Sequence, residues 1–187
     1  MAPLACAAAN LLAVIMLALV LAPGTPLAGD LAERERYVRE HVFAWRAGWA
    51  TWMVAAATLV WCYAWWRRRV GGAHVAIAIA LVGIAFDWSA ETALIVGGAE
   101  GYSAIAPAAF FMTGAIANGA YTAAGIVLTF ATPLTPRSRA YAALMWSAGL
   151  SVSFGALFDI PVITALATAE LFALFIPWCV WLRRRFP

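Results

Sequence analysis

Six long apolar runs, separated by short polar or turn-forming segments, dominate the hydrophobic pattern of the chain. Each run has roughly 19 to 27 residues, which is enough for a helix to cross a hydrocarbon core of about 30 Å. The runs cover residues 4–22, 43–66, 73–97, 105–131, 137–158 and 161–182. We therefore predict an all-α, polytopic membrane protein with six transmembrane helices, forming a single helical-bundle domain over residues 1–187.

The first run is apolar apart from Asn10 and ends at Pro23. A cleaved signal peptide over residues 1–28 would leave five spans. No basic segment precedes the run, however, and the small-residue pattern of a cleavage site is poorly matched before Gly29. We expect the first span to be retained.

Residues 30–42 form the most strongly charged segment of the chain. Asp30 and Glu33 have the spacing of a capping box that begins a helix. Two ion pairs at i, i+4 are expected on its surface, Glu35 with Arg39 and Arg36 with Glu40. We predict an extramembrane helical extension that continues directly into the second span and presents a solvated face.

Composition supports this class of protein, because 65% of the residues are apolar and 11% are charged. A soluble domain carries about 25% charged residues. The basic residues are all arginines, clustered at 67–69, at 137 and 139, and at 183–185. Since cytoplasmic loops are enriched in arginine and lysine, both termini are expected in the cytoplasm. The exclusive use of arginine, together with abundant alanine and glycine, suggests a GC-rich bacterial genome, so we expect the protein in a bacterial inner membrane. Each cluster adjoins an apolar span, so we expect no nucleic-acid partner.

Cys6, Cys62 and Cys179 all fall in the predicted cytoplasmic half of the membrane, where disulfides are not expected. They could converge as a metal site, but no CxxC pair supports one. Small apolar packing residues are the favoured interpretation. We expect no metal and no cofactor.

The third run carries two carboxylates, Asp87 and Glu91, at i and i+4. They share one helix face, at a depth where ionisable groups are costly and mark candidate functional sites. The predicted topology brings Glu170 and Asn118 to a similar depth. Because desolvation and like charge both favour the neutral form, we expect at least one of the three carboxyls to be protonated at neutral pH. All three are candidate catalytic residues.

The second run begins with an aromatic and basic pattern, Trp45-Arg46-Ala47-Gly48-Trp49-Ala50-Thr51-Trp52-Met53, which follows Glu40-His41. Arg46 either reaches toward the interface beside an aromatic belt or faces inward as the counter-charge of a buried carboxylate. The pattern resembles small multi-span bacterial integral membrane proteins without an assigned activity. That resemblance implies a six-span fold and no catalytic residue, and the chain matches no characterised family.

The remaining candidates are ligand-binding residues. Asp159 either contributes to the site or caps the sixth helix. The full set of candidate ligand-binding residues is Arg46, Trp49, Trp52, Trp88, Asn118, Tyr121 and Asp159.

Four interpretations of this polar cluster remain open. The cluster binds or transports a lipophilic or cationic small molecule or protons, or it is the acid–base centre of a membrane-embedded isomerase or cyclase acting on a lipophilic substrate. Alternatively, it belongs to an accessory or scaffold subunit with a membrane-protein partner, or it is a hydrogen-bonded network that fixes helix packing. Membrane lipid is a partner in every case.

Overall fold

The computed structural model describes residues 1–186, and within that range the chain forms helices and turns but no strand. Six of its helices are long and apolar enough to cross a membrane. They are the first span Ala2–Gly24, the second Val42–Val70, the third His74–Gly97, the fourth Tyr102–Phe130, the fifth Pro136–Leu157 and the sixth Pro161–Arg185. The prediction of an all-α, six-span membrane protein is confirmed at this level.

The six spans stand side by side in chain order and form a closed ring. Each span packs against the next along the chain, and the first packs against the sixth. Because consecutive spans run in opposite directions, all three arginine clusters and the beginning of the first span come to one end of the ring. We call this end the arginine-rich face and the other end the opposite face.

The short connections explain why the spans turn back so tightly. Gly71 and Gly72 join the second and third spans with φ values of 71° and 61°, a left-handed conformation that glycine adopts without strain. Thr135 begins the fifth span, because its hydroxyl accepts a hydrogen bond from Ser138 N at 3.2 Å. Pro136 and Pro161 open their helices, where a missing backbone N–H costs nothing.

Large aromatic side chains fill the ring near the arginine-rich face. The buried core there contains Tyr63, Trp66, Trp146, Phe175 and Trp178. Trp66 donates its indole N–H to Thr132 Oγ1 at 3.0 Å, so the polar atom of that ring is satisfied. This half of the bundle is therefore closely packed.

The middle of the fourth span widens into a π-helical segment, Met112–Ala117, between two α-helical segments. Pro107 lies one turn before it and removes a backbone donor from the helix. Such wide turns often occur at functional positions. Here the segment ends directly before Asn118.

The charged segment forms a separate helix, Leu31–Glu40, rather than a continuation of the second span. His41 has φ −123° and ψ 32°, which is not helical, and a new helix begins at Val42. Val38 is fully buried, and the Tyr37 hydroxyl donates to the carbonyl of Val20 at 2.5 Å. The prediction that this helix continues directly into the second span is wrong, because the helix breaks at His41 and these contacts hold the segment against the end of the first span.

Some of the local interactions predicted for this segment are present in the structure. Asp30 Oδ1 accepts from Glu33 N at 2.9 Å, as a capping residue does. Glu35 pairs with Arg39 at 2.8 Å, and this is the one ion pair among the residues that the structure describes. The expected pair between Arg36 and Glu40 is therefore not formed.

Candidate functional site

The opposite half of the ring holds a cavity of about 850 Å³ beside a second buried cluster, which includes Trp45, Leu94 and Tyr102. Five spans contribute several residues each to its wall, and the third span contributes Asp87. The lining is predominantly apolar. Its floor is formed by Leu59, Tyr63, Trp146 and Phe175, which belong to the packed core near the arginine-rich face.

Asp87 is the carboxylate in the interior part of the cavity wall. Its side chain is only 3% exposed, and its Oδ2 accepts a hydrogen bond from the Tyr121 hydroxyl at 3.1 Å. Gly83, one turn away on the same face, makes this arrangement possible. A Cβ at Gly83 would lie 2.8 Å from Tyr121 Cε1, so the absence of a side chain there lets the phenol ring pack against the third span.

Glu91 lies one turn from Asp87 and is completely buried, but it is not part of the cavity wall. Neither of its carboxyl oxygens has a hydrogen-bond partner. Burying an unpaired polar group is unfavourable, and an unpaired charge more so. The shared helix face predicted for the two carboxyls is present, but only Asp87 lines the cavity.

Asn118 lines the cavity and connects the fourth and fifth spans. Its side-chain nitrogen donates to Gly149 O at 2.7 Å and to Ser153 Oγ at 2.8 Å. Both bonds use the nitrogen, so the amide oxygen can accept a hydrogen bond from a molecule in the cavity.

Aromatic rings form one side of the cavity. Trp49 and Trp52 both line it, and Trp52 packs edge-on against Phe172 of the sixth span with ring centroids 5.7 Å apart. The indole N–H of Trp49 is buried without a partner. Rings of this kind offer an apolar surface together with a negative π face that attracts cations.

The mouth of the cavity lies toward the opposite face. Arg34 of the short helix and Asp159, in the turn between the fifth and sixth spans, both line the cavity there. Asp159 has φ 51°, and the sixth helix has Ile160 at its N-cap position with no side-chain cap. The interpretation of Asp159 as a helix cap is therefore wrong.

Besides Glu91, three sequence-predicted residues lie outside the cavity. Arg46 is exposed and donates from Nε to the carbonyl of Ile95 at 3.0 Å, so it is not the counter-charge of a buried carboxylate. Trp88 is 42% exposed and borders a separate shallow depression with Met53. Glu170 is exposed on the perimeter of the ring, so the predicted convergence of three carboxyls is wrong.

Most residues of the wall were not predicted, and Asn10 and Arg34 are two polar examples. Asn10 lines the cavity, although its side chain is only 5% exposed. It is the one polar residue of the first apolar run, and this was the signal that could have identified it as a site residue. Arg34 gave no such signal, because its role depends on the folding back of the helix Leu31–Glu40. The structure also brings Cys6, Cys62 and Cys179 together outside the cavity, with their sulfur atoms within 4.8 Å of one another.

No protein-family model, no curated protein and no solved structure matches this chain, which confirms the expectation that no characterised family is matched.

Proposed function

We propose that the protein binds a lipophilic small molecule carrying an amine or another cationic group, inside the membrane, with the cationic group at Asp87. The observation that carries this proposal is an apolar cavity of about 850 Å³ with a carboxyl in its interior wall. Small-molecule sites have volumes of about 300–1,000 Å³ and apolar walls with few polar groups.

The polar groups of the wall suit such a ligand. Asp87 supplies a negative charge or a hydrogen-bond acceptor, and Asn118 supplies a second acceptor. Trp49 and Trp52 provide aromatic faces for the apolar body and for cation–π contact. Because the carboxyl is removed from water, pairing with an ammonium group there is stronger than at a protein surface.

The rim of the cavity favours entry from the membrane. Leu27, Phe111, Leu157 and Ile160 line the cavity and are also exposed, Leu157 by 56%, so the rim is strongly apolar. A lipophilic molecule dissolved in the bilayer meets these side chains first. The packed floor closes the way to the arginine-rich face, which favours a binding site over a channel.

The test compares two probes with the same apolar cage, 1-adamantylamine and 1-adamantanol, binding to the purified protein in detergent. Tryptophan fluorescence follows saturation. We expect wild type to bind the amine about tenfold more tightly than the alcohol, which corresponds to about 1.4 kcal/mol. Asp87→Asn should bind the two probes with equal affinity.

Glu170→Gln is the matched control, because it removes a carboxyl from a span but on the outer perimeter. This variant should keep the preference of wild type for the amine. The proposal fails if neither probe saturates wild type, or if Asp87→Asn still prefers the amine.

The hydrogen-bonded pair of Asp87 and Tyr121 favours one second candidate, a membrane-embedded acid–base enzyme. A protonated carboxyl beside a phenol in the interior wall of an apolar cavity could protonate an alkene or epoxide of a lipophilic substrate. Incubating the protein with an isoprenoid epoxide and analysing the products distinguishes the candidates. Conversion by wild type and none by Asp87→Asn would favour the enzyme.

For the orientation, we propose that the arginine-rich face and both termini are cytoplasmic and that the membrane is a bacterial inner membrane. Eight of the twelve arginines lie at this end of the spans, and the other four belong to the opposite face. A reporter that folds only in the cytoplasm, fused after Pro187, should be active. Inactivity of that fusion would reverse the orientation.

A further inference from the structure

Three cysteines from three different spans meet where the ring closes. Cys6 comes from the first span, Cys62 from the second and Cys179 from the sixth, and each side chain is at most 1% exposed. Their sulfur atoms lie within 4.8 Å of one another. We propose that this cluster binds a soft, three-coordinate ion, trivalent arsenic or monovalent copper, through all three sulfur atoms.

The spacing of the sulfur atoms suits one ion at their centre. A metal–thiolate bond is about 2.3 Å long, so three thiolates in a plane around copper lie about 4 Å apart, and three thiolates on pyramidal arsenic lie about 3.4 Å apart. The observed upper limit of 4.8 Å is about 1 Å longer than these spacings. Small rotations of the cysteine side chains would close that difference without moving the helices.

A neighbouring amide is placed to support a thiolate. Asn10 is itself 5% exposed, and its side-chain nitrogen lies 3.3 Å from Cys6 Sγ, toward which it donates. A polar hydrogen aimed at a sulfur atom stabilises its charged form, as the groups around metal-bound ligands commonly do. The same nitrogen also donates to the backbone carbonyl of Cys6 at 2.8 Å, so this one amide holds the preceding turn of the helix and reaches the sulfur atom together.

The composition of the cluster selects the kind of ion. The group contains three cysteines and, among the described residues, no histidine or carboxylate. Zinc in structural sites requires four ligands, whereas soft thiolates select ions such as monovalent copper. Trivalent arsenic takes three thiolates and forms a complex without net charge, which suits a site removed from water.

Binding of arsenic requires no oxidant and no charge separation. Arsenous acid, As(OH)₃, reacts with three thiols so that three As–O bonds are replaced by three As–S bonds. Each thiol proton leaves with a hydroxyl group as water, giving three water molecules. Monovalent copper would instead displace protons from two or three thiols and leave a net negative complex, so we expect it to bind less well at this depth.

The position of the cluster gives binding a structural consequence. Cys6 and Cys179 each lie about two turns or less from the helix end at the arginine-rich face. An ion held by all three cysteines would fasten the first span to the second and sixth. Asn10 borders both the cluster and the cavity, but none of the three cysteines lines the cavity, so the test of the cluster does not use the proposed ligand.

The experiment uses reduced, purified full-length protein in detergent under argon. One sample receives arsenite and another receives monovalent copper, and excess ion is removed by gel filtration in the presence of a weak thiol competitor. We expect about one arsenic or copper atom per chain by elemental analysis, with a rise in the unfolding temperature. The two samples show which of the two ions the site prefers.

Single alanine substitutions at Cys6, Cys62 and Cys179 should each abolish retention of the ion. Met145→Leu is the matched control, since it removes another fully buried sulfur atom from the same core. A serine substitution replaces alanine wherever the alanine variant does not fold. The three-sulfur site would be overturned if any variant that lacks one of the three cysteines retained the ion. It would also be overturned if the wild-type protein retained neither arsenic nor copper.

X-ray absorption of the loaded wild-type protein tests the proposal without any variant. Three sulfur neighbours around the ion are expected. Fewer sulfur neighbours, or oxygen among the neighbours, would overturn it.

Discussion

Asp87 and Glu91 are one helical turn apart on the same face, yet their surroundings differ. Asp87 accepts a hydrogen bond from Tyr121 and lines the cavity, whereas both oxygens of Glu91 are buried without a partner. Removing the Asp87 carboxyl would break a hydrogen bond and so destabilise the folded protein, whereas the unpartnered Glu91 carboxyl already destabilises it. The two residues should therefore respond to substitution in opposite directions.

We expect Glu91→Met to raise the free energy of unfolding by about 1–3 kcal/mol, because an unpaired buried carboxyl is replaced by an apolar side chain of similar length. Asp87→Leu should lower it by a similar amount, since the Tyr121 hydroxyl would lose its acceptor. The temperature at which half of the monodisperse protein is lost from gel filtration measures both effects. A fall in that temperature for Glu91→Met would mean that Glu91 has a stabilising partner.

Residue roles could be predicted from the sequence only where spacing along one helix decides them. The i, i+4 relation of Asp87 and Glu91 is of this kind. The orientation of Glu170 is not, because the sixth span is apolar nearly all round and its pattern does not identify the buried face. Arg46 likewise had two possible directions, and the packing of the second span against the third left its side chain exposed.

At the scale of whole helices, glycines set the distance between the fourth and fifth spans. A Cβ at Gly125 would overlap the ring of Trp146, whereas one at Gly119 would lie 3.4 Å from Ser153 Oγ, an ordinary contact. Trp146 has little freedom to move. Its indole N–H donates to Thr129 Oγ1 at 2.8 Å, and its ring packs against Phe175.

Gly125→Ala should therefore destabilise the protein by about 1–3 kcal/mol, through overpacking against Trp146. Gly119→Ala belongs to the same span and should be neutral or stabilise by up to about 1 kcal/mol, because alanine has the higher helix propensity. Unfolding temperatures in one detergent compare the two variants. Equal behaviour would show that Trp146 can move aside.

The helices themselves could be predicted well, because apolar runs of sufficient length and the turns between them are local features. The break at His41 could not. Val38 and Tyr37 hold the short helix against the end of the first span, and those contacts exist only once the ring has formed. The convergence of Cys6, Cys62 and Cys179 is of the same kind, since it depends on the first span packing against the sixth.

At the scale of the whole molecule, the ring is closely packed at one end and hollow at the other. Span lengths and arginine clusters predict the six helices and their alternation. They do not predict which half is hollow, because that depends on how well side chains from five spans fill the interior. Large aromatic residues such as Trp66 and Trp178 fill the arginine-rich half. In the other half, smaller residues such as Ala165 and Thr168 face the cavity together with Trp49 and Trp52, and the space between them stays open.

Filling the cavity tests whether this hollow is the ligand site. Ala165 lines the cavity, whereas Leu166, the next residue, is 69% exposed on the perimeter. We expect Ala165→Phe to abolish binding of both 1-adamantylamine and 1-adamantanol, because the new ring would occupy their space. The unfolding temperature should not fall, since the cavity has room for the ring. Leu166→Phe should bind both probes as wild type does. Unchanged binding by Ala165→Phe would place the probes on another surface of the ring, and the loss of amine preference in Asp87→Asn would then need a different cause.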